Sequence, residues 1–158
     1  MAIPTPAEVG KVIRAVDEPF AAFIAVCSFA GTRRGEASAL KVSDVSFLRK
    51  DLCVERQVQW TADGRMEIRP PKYGSERTIY IPDGLVKILA EYVRLYRPGD
   101  DPDRYLFPGS RDPNLPVHAA TVSRSWRIVR DEVGIPYRLH DCRHYFASGL
   151  INAGCVTW

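Results

Sequence analysis

Apolar positions recur at helical spacing along much of the chain and predict several helices. Thr5 is followed three residues later by Glu8, and such a pair can cap the start of a helix reciprocally. Residues 19–30 are apolar on nearly every side, which predicts a buried helix that ends at Gly31. Further helices are predicted at residues 34–40, at residues 83–96 with Asp83 as the cap, at about residues 121–132, and from near His140 onward.

The middle of the chain changes to short β-prone segments. These segments are Leu52–Trp60, Met66–Arg69 and Thr78–Ile81, and turn-forming residues separate them. They predict a small three-stranded antiparallel sheet. With the helices on either side, this pattern indicates an α+β fold that is mainly α-helical.

Composition limits the class of protein further. The chain has 158 residues, of which 46% are hydrophobic and 26% charged, so it can bury one sizeable core and we expect one domain. We expect neither a membrane protein nor a secreted one, because no apolar run is long enough to span a bilayer and no signal-peptide pattern is present. The net charge of +3 permits a nucleic-acid partner without requiring one.

The cysteines indicate neither a metal site nor a disulfide framework. They are far apart in sequence and form no CxxC pair: Cys27, Cys53, Cys142 and Cys155. We therefore expect reduced thiols and a cytoplasmic location.

The segment from Gly31 to Glu36 places Arg33 and Arg34 where a loop enters a helix. Glu36 lies three residues after Arg33, on the same helix face, and can orient its guanidinium. A guanidinium held in this way offers paired donors to a phosphate. An exposed first turn with a routine ion pair explains the same residues equally well.

Two further segments carry candidate chemistry. Lys72 lies in a predicted turn between strands, shortly before Arg77, and could give a proton to a leaving oxygen or simply keep the edge of a hairpin soluble. His140 and Arg143 share a face at the start of the last helix, where an anion is favoured. A capping histidine and a surface arginine are the ordinary alternative.

A metal site is the weakest of the candidate chemistries. His140 and His144 have the spacing of a metal-binding pair, but Asp141 stands where the zinc hydrolase pattern carries glutamate. The only other histidine, His118, lies in a loop, so we expect no metal.

Taken together, these segments resemble the active-site boxes of the tyrosine recombinases, the phage-integrase family. In that family a Gly-x-Arg-x-Gly-Glu box, a β-hairpin lysine and a His-x-x-Arg-His box occur in this order, and the matching residues are Arg33, Lys72, His140 and Arg143. Residues 39–45, 77–82, 106–108 and 146–148 also resemble family segments. The resemblance covers essentially the whole chain and implies the tyrosine-recombinase catalytic-domain fold.

The chain departs from the family pattern in two places. Cys142 stands where the family usually has leucine. The family continues past a glycine like Gly154 to another His or Trp box and then to the nucleophilic tyrosine, whereas this sequence stops at Trp158. Tyr145 matches a different, non-nucleophilic position. We therefore expect residues 1–158 to be a partial catalytic domain that lacks both the tyrosine segment and the N-terminal DNA-clamping domain.

The resemblance implies a mechanism that needs no cofactor and no metal. In the family, a tyrosine attacks a DNA phosphodiester and forms a 3′-phosphotyrosine, and a second strand's hydroxyl reverses the step. Arg33 and Arg143 would neutralise the phosphoryl oxygens, Lys72 would protonate the leaving 5′-oxygen, and His140 would handle the tyrosine proton or hydrogen-bond the phosphate. Glu36 would hold Arg33.

The implied partner is double-stranded DNA, with Arg77 and Arg124 as further contacts to the phosphate backbone. The intact parent would be a site-specific DNA recombinase or integrase, bacterial or phage-encoded, that assembles as a homotetramer on DNA. The alternative is a truncated remnant that binds DNA and does no chemistry. A metal hydrolase is a more distant third.

Overall fold

The structure, a computed structural model, describes residues 4–15 and 18–152. In chain order its helices and strands are α1 (Pro6–Ala15), α2 (Glu18–Phe29), α3 (Arg34–Ser38), β1 (Val45–Ser46), β2 (Asp51–Val54), β3 (Gln57–Trp60), β4 (Met66–Arg69), β5 (Arg77–Tyr80), α4 (Asp83–Tyr96), α5 (Ala119–Val133) and α6 (Leu139–Asn152). Short 3₁₀ helices occur at Val42–Asp44 and Lys72–Gly74. Gly154, Cys155 and Trp158, used in the sequence interpretation, lie outside the described residues.

The helix ends follow the local sequence signals closely. The Thr5 hydroxyl accepts from the Glu8 backbone N–H at 3.2 Å, and the Glu8 carboxylate accepts from the Thr5 N–H at 2.8 Å, which confirms the predicted reciprocal cap of α1. α5 ends at Gly134, whose φ of 76° is the left-handed conformation that favours glycine.

Asp83 does not cap α4 as predicted. The cap position is Pro82, and Asp83 is already the first helical residue, without a side-chain capping bond. Its carboxylate instead lies 2.8 Å from the Lys50 ammonium. Pro82 holds an extended backbone at the cap position, and its carbonyl accepts from the Leu85 and Val86 N–H groups, so the helix begins one residue earlier than a cap at Asp83 would place it.

The predicted α+β architecture is confirmed, but the strands pair differently from the prediction. A three-stranded antiparallel sheet has the order β1-β2-β5, and β3 and β4 form a separate antiparallel pair. The predicted strand Leu52–Trp60 is interrupted at Glu55 and Arg56. Its first half therefore pairs with β5 and its second half with β4.

Helix α2 lies at the centre of the core, which explains its uniform apolarity. It packs against α1, α3, α4 and α6. Ile24, Ala25 and Val26 are completely buried, and Leu52 of β2 and Leu89 of α4 join the same cluster. Since α2 is enclosed, the loop that follows it is fixed where α3 begins. Within the described parts of the chain, no helix is both long and apolar enough to cross a membrane.

Candidate active site

Glu36, in the first turn of α3, is a fully buried carboxylate that binds two arginines. Arg77 of β5 donates to both of its oxygens, from Nη1 to Oε2 at 3.0 Å and from Nη2 to Oε1 at 3.1 Å. Oε1 also accepts from the Arg33 backbone N–H at 2.8 Å. This bidentate pair joins α3 to the sheet and fixes the backbone at the start of the helix.

Burial on its own would raise the pKa of Glu36. The hydrogen bonds from Arg77 and from the Arg33 backbone, together with the positive charges of both arginines, outweigh burial and hold the pKa below its usual value. The carboxylate is therefore charged at neutral pH, as the salt bridge requires.

Arg33 immediately precedes α3 and keeps part of its donor capacity unused. Its Nη1 lies 3.7 Å from Glu36 Oε2, which is within ion-pair distance but beyond a hydrogen bond. This nitrogen is buried and has no hydrogen-bond partner among the described residues. A buried guanidinium N–H without a partner is costly, and an anion that accepted from it would remove that cost.

Arg143 comes from the far end of the chain to the same place. It lies on α6, and its Nε donates to the Gly31 carbonyl at 2.8 Å, in the loop between α2 and α3. Burial and the positive charge of Arg33 lower the pKa of Arg143 from its usual value, and Arg77 adds to this effect. The bond to Gly31 fixes Arg143 beside the loop that leads to Arg33.

The three arginines carry more charge than Glu36 can balance. Arg33 and Arg77 pair with the one carboxylate, and Arg143 contacts a carbonyl, so two positive charges remain uncompensated. The four side chains are partly or fully buried, where the dielectric screening of charge is weaker than in water. This group of residues, Arg33, Glu36, Arg77 and Arg143, is called the arginine cluster below.

His140 lies one turn before His144 on α6, and the two rings meet edge to face with centroids 4.9 Å apart. Partial burial lowers the pKa of His140, and the nearby His144 and Arg143 lower it further. Neutral imidazole is therefore favoured at pH 7, and a neutral ring can accept a proton. Across the described residues, no group of three or more His, Cys, Asp or Glu side chains is placed to hold a metal ion.

Lys72 begins an exposed 3₁₀ turn between β4 and β5 that is anchored on both sides. Before the turn, Gln57 Nε2 donates to the Pro70 carbonyl at 2.9 Å, and after it Arg77 Nη1 donates to the Ser75 carbonyl at 2.8 Å. Ser75 Oγ donates to the Lys72 carbonyl at 2.8 Å. Among the described contacts, none joins the Lys72 side chain itself to the arginine cluster, but Arg77 links the cluster to the turn that carries it.

Arg124 is exposed on α5, next to Ser123, whose hydroxyl accepts from Arg34 Nη1 at 3.1 Å. This bond brings α5 beside the start of α3. The structure thus places Arg33, Glu36, Arg77 and Arg143 together, His140 beside them, and Lys72 and Arg124 on flanking exposed positions.

Sequence reasoning missed the principal partner of Glu36. It paired Glu36 with Arg33 and assigned Arg77 to DNA phosphates, whereas both terminal nitrogens of Arg77 bind Glu36 in this structure. Residues 36 and 77 are 41 positions apart, so helical spacing could not reveal the pair. The role of the Gly31 carbonyl and of Ser75 was missed for the same reason.

The sequence model of the phage integrase family matches residues 5–157. The chain belongs to the phage integrase family. Its relatives include a prophage phiRv2 integrase of Mycobacterium tuberculosis, 27% identical over 148 residues that cover 92% of this chain and 38% of the relative. They also include the tyrosine recombinase XerA of Pyrococcus furiosus, 31% identical over 127 residues that cover 78% of this chain and 38% of the relative.

The fold of this phage integrase family chain is also found in a solved structure. The Tn1549 transposon integrase, in complex with transposon right end DNA, superimposes with a TM-score of 0.80 at 18% identity, over 97% of this chain and 54% of that one. The chain thus has the tyrosine-recombinase catalytic-domain fold. It spans 38% of the length of the two curated relatives described above.

Proposed function

We propose that this chain is the DNA-binding and catalytic part of a site-specific recombinase or integrase, and that the arginine cluster binds the phosphate at which a strand is cut and rejoined. The observation that carries the proposal is the pair of uncompensated positive charges around Glu36, together with the buried, unpartnered Nη1 of Arg33. A phosphodiester supplies both the negative charge and the acceptor oxygens that these groups need.

In the proposed reaction, a tyrosine of the intact parent attacks the phosphorus of a DNA phosphodiester. The new bond is a 3′-phosphotyrosine, and the bond that breaks releases the 5′-oxygen. Lys72 gives that oxygen its proton, and His140, kept neutral by its surroundings, accepts the proton of the tyrosine. Arg33 and Arg143 stabilise the charge on the phosphoryl oxygens, while Glu36 holds Arg33 in place and the Gly31 carbonyl holds Arg143.

DNA binding by the chain is the first test of this proposal. A fluorescein-labelled DNA duplex is titrated with the protein at two salt concentrations, and its anisotropy is measured. We expect affinity that falls with salt, because phosphate contacts release counterions. The Arg33→Ala/Arg143→Ala variant should bind at least about tenfold more weakly, since hydrogen bonds to charged groups contribute about 1.5–3 kcal/mol each.

A variant with the same loss of charge elsewhere is the control. Arg94 is exposed on α4 and Arg111 is exposed in the loop that precedes α5. The Arg94→Ala/Arg111→Ala variant should keep most of the affinity. Equal losses in the two double variants would reject the arginine cluster as the phosphate site and leave only a general effect of net charge.

We also propose that the 158-residue chain binds DNA without cutting it, because none of its seven tyrosines matches the position of the family nucleophile. Incubation with end-labelled duplex should give no nick and no covalent adduct, since binding and electrostatic stabilisation remain but nucleophilic attack does not. A shifted, protease-sensitive band on a denaturing gel would contradict this prediction.

The proposed partner of the intact parent is double-stranded DNA bound by a homotetramer. The family resemblance supports this assembly, and Lys72 and Arg124 are the exposed cations of this chain that we assign to the phosphate backbone. Mass photometry of the intact parent on a duplex carrying its target site checks the stoichiometry, and a stable monomer on DNA would reject the tetramer.

A further inference from the structure

Tyr73 is an aromatic side chain that the fold leaves almost completely in solvent. It is 95% exposed, and no hydrogen bond or ring contact engages it among the described residues. It directly follows Lys72, at the tip of the turn between β4 and β5. An exposed tyrosine beside a lysine offers an aromatic face and a positive charge at one place.

The backbone of Tyr73 is also unfavourable for the residue it carries. Its φ of 59° and ψ of 29° lie in the left-handed region, which glycine or asparagine adopts far more readily than a bulky side chain. Neither burial nor a hydrogen bond of the ring offsets this strain in the free protein. Backbone strain that no contact in the free protein offsets is typical of functional positions.

The tip that presents Tyr73 is held in place by the arginine cluster. Glu36 binds Arg77, Arg77 donates to the Ser75 carbonyl, and Ser75 closes the turn onto the Lys72 carbonyl at 2.8 Å. The position of the aromatic ring is thus tied to the position of the phosphate site. A turn backbone held in this way loses little conformational freedom on binding.

We propose that Tyr73 is a DNA-contacting residue whose ring packs on the nucleotide at the 5′-oxygen side of the bound phosphate. The inference rests on the proposed function, in which Lys72 reaches that oxygen. Adjacent Cα atoms are about 3.8 Å apart, so a residue next to Lys72 lies within reach of the nucleotide that carries the leaving oxygen. In a duplex the base faces are stacked on one another, so the ring packs on the exposed sugar of that nucleotide, a contact that carries no sequence information.

The test compares three substitutions at position 73 by anisotropy with a fluorescein-labelled duplex. Tyr73→Gly and Tyr73→Asn suit the left-handed backbone and remove the ring, and each should weaken binding about fivefold, the effect of no longer burying roughly 40 Å² of apolar ring surface. Tyr73→Phe keeps the ring and should bind within about twofold of the unsubstituted chain. Unchanged affinity in Tyr73→Gly, or equal losses in all three variants, would overturn the proposal.

Two further readouts exclude a merely structural effect. Tyr73→Gly should leave the melting temperature unchanged or raise it, because it relieves the strained backbone while affinity falls. It should also leave the dependence of affinity on salt unchanged, whereas Lys72→Ala should lower that slope by about one. A reduced slope in Tyr73→Gly, or a melting temperature lowered in both Tyr73→Gly and Tyr73→Asn, would reject a contact made by the uncharged ring.

Tyr80 provides the matched control, since it is 82% exposed but lies on β5, away from the tip of the turn. Tyr80→Thr should bind DNA like the unsubstituted chain, and an equal loss there would overturn the specific role of Tyr73. The two proposals also fail differently. If Arg33→Ala/Arg143→Ala loses affinity for DNA and the Tyr73 variants do not, the role of Tyr73 is rejected and the phosphate site stands. If the unsubstituted chain does not bind DNA, both proposals are rejected.

Discussion

Glu36 determines the geometry of the site through a single buried carboxylate. It orients Arg77 by two hydrogen bonds and fixes the Arg33 backbone by a third. Burial removes the hydration of the carboxylate. Its ion pair and hydrogen bonds offset that cost only while all partners remain. Removing its charge should therefore affect both stability and the placement of the arginines.

We expect Glu36→Gln to lower the free energy of unfolding at pH 7 by about 3 kcal/mol, because it leaves the Arg77 charge without its partner. The pKa of Glu36 is lowered in the folded protein, so its contribution is complete above the usual value of 4.5 and is lost as pH falls through the lower folded value. The difference in the free energy of unfolding between Glu36→Gln and the unsubstituted chain should thus become smaller at acid pH.

Urea unfolding at pH 7 and at pH 3.5 measures this difference. Glu132→Gln, at an exposed position of α5, is the control and should change stability little at either pH. A difference for Glu36→Gln that stays constant between the two pH values would show that the salt bridge with Arg77 is not its cause.

At the scale of elements, the contact of α3 with β3 sets how closely the first arginine approaches the sheet. Gly35 lies against this strand, and a Cβ there would come within 2.8 Å of the Val58 carbonyl oxygen. Only glycine permits this approach. β3 also anchors the Lys72 turn through Gln57, so the distance between α3 and β3 affects both parts of the site.

Gly35→Ala should lower the free energy of unfolding by about 1–3 kcal/mol, because the added methyl group forces the helix away from the strand. Gly84→Ala is a well-matched control: Gly84 lies in α4 with open space around it, and alanine there should raise stability by about 0.4–1 kcal/mol. Urea unfolding of both variants checks the opposite signs. Equal behaviour of the two variants would contradict the close approach of α3 and β3.

Local signals in the sequence predicted the helices well and the sheet less well. The Thr5 and Glu8 cap acts over a few residues, and it was predicted correctly. The pairing of strands depends on contacts between distant segments, so the break at Glu55 and Arg56 was missed. The resemblance located the candidate residues, but the Glu36–Arg77 bond needed the three-dimensional structure.

At the scale of the whole molecule, the arginine cluster links anion binding to stability. A ligand that binds the folded chain and not the unfolded one raises the free energy of unfolding by mass action. Inorganic phosphate at about ten times its dissociation constant should therefore add about 1.4 kcal/mol, or a few degrees in melting temperature. The measurement is a thermal melt in phosphate and in sodium chloride of equal ionic strength.

The Arg33→Ala/Arg143→Ala variant should lose this specific stabilisation and keep only the general salt effect. Arg94→Ala/Arg111→Ala should respond to phosphate like the unsubstituted chain. If phosphate stabilises both double variants equally, the anion acts elsewhere on the surface and not at the cluster.

The hydrogen bond from Arg143 to the Gly31 carbonyl joins segments made at very different times during protein synthesis. A ribosome adding about 5–20 residues per second needs several seconds to more than twenty seconds to travel from the codon for Gly31 to that for Arg143. Arg33 is synthesised at the start of that interval and Arg143 only at its end. A nascent chain therefore acquires its complete affinity for phosphate only after α6 has left the exit tunnel.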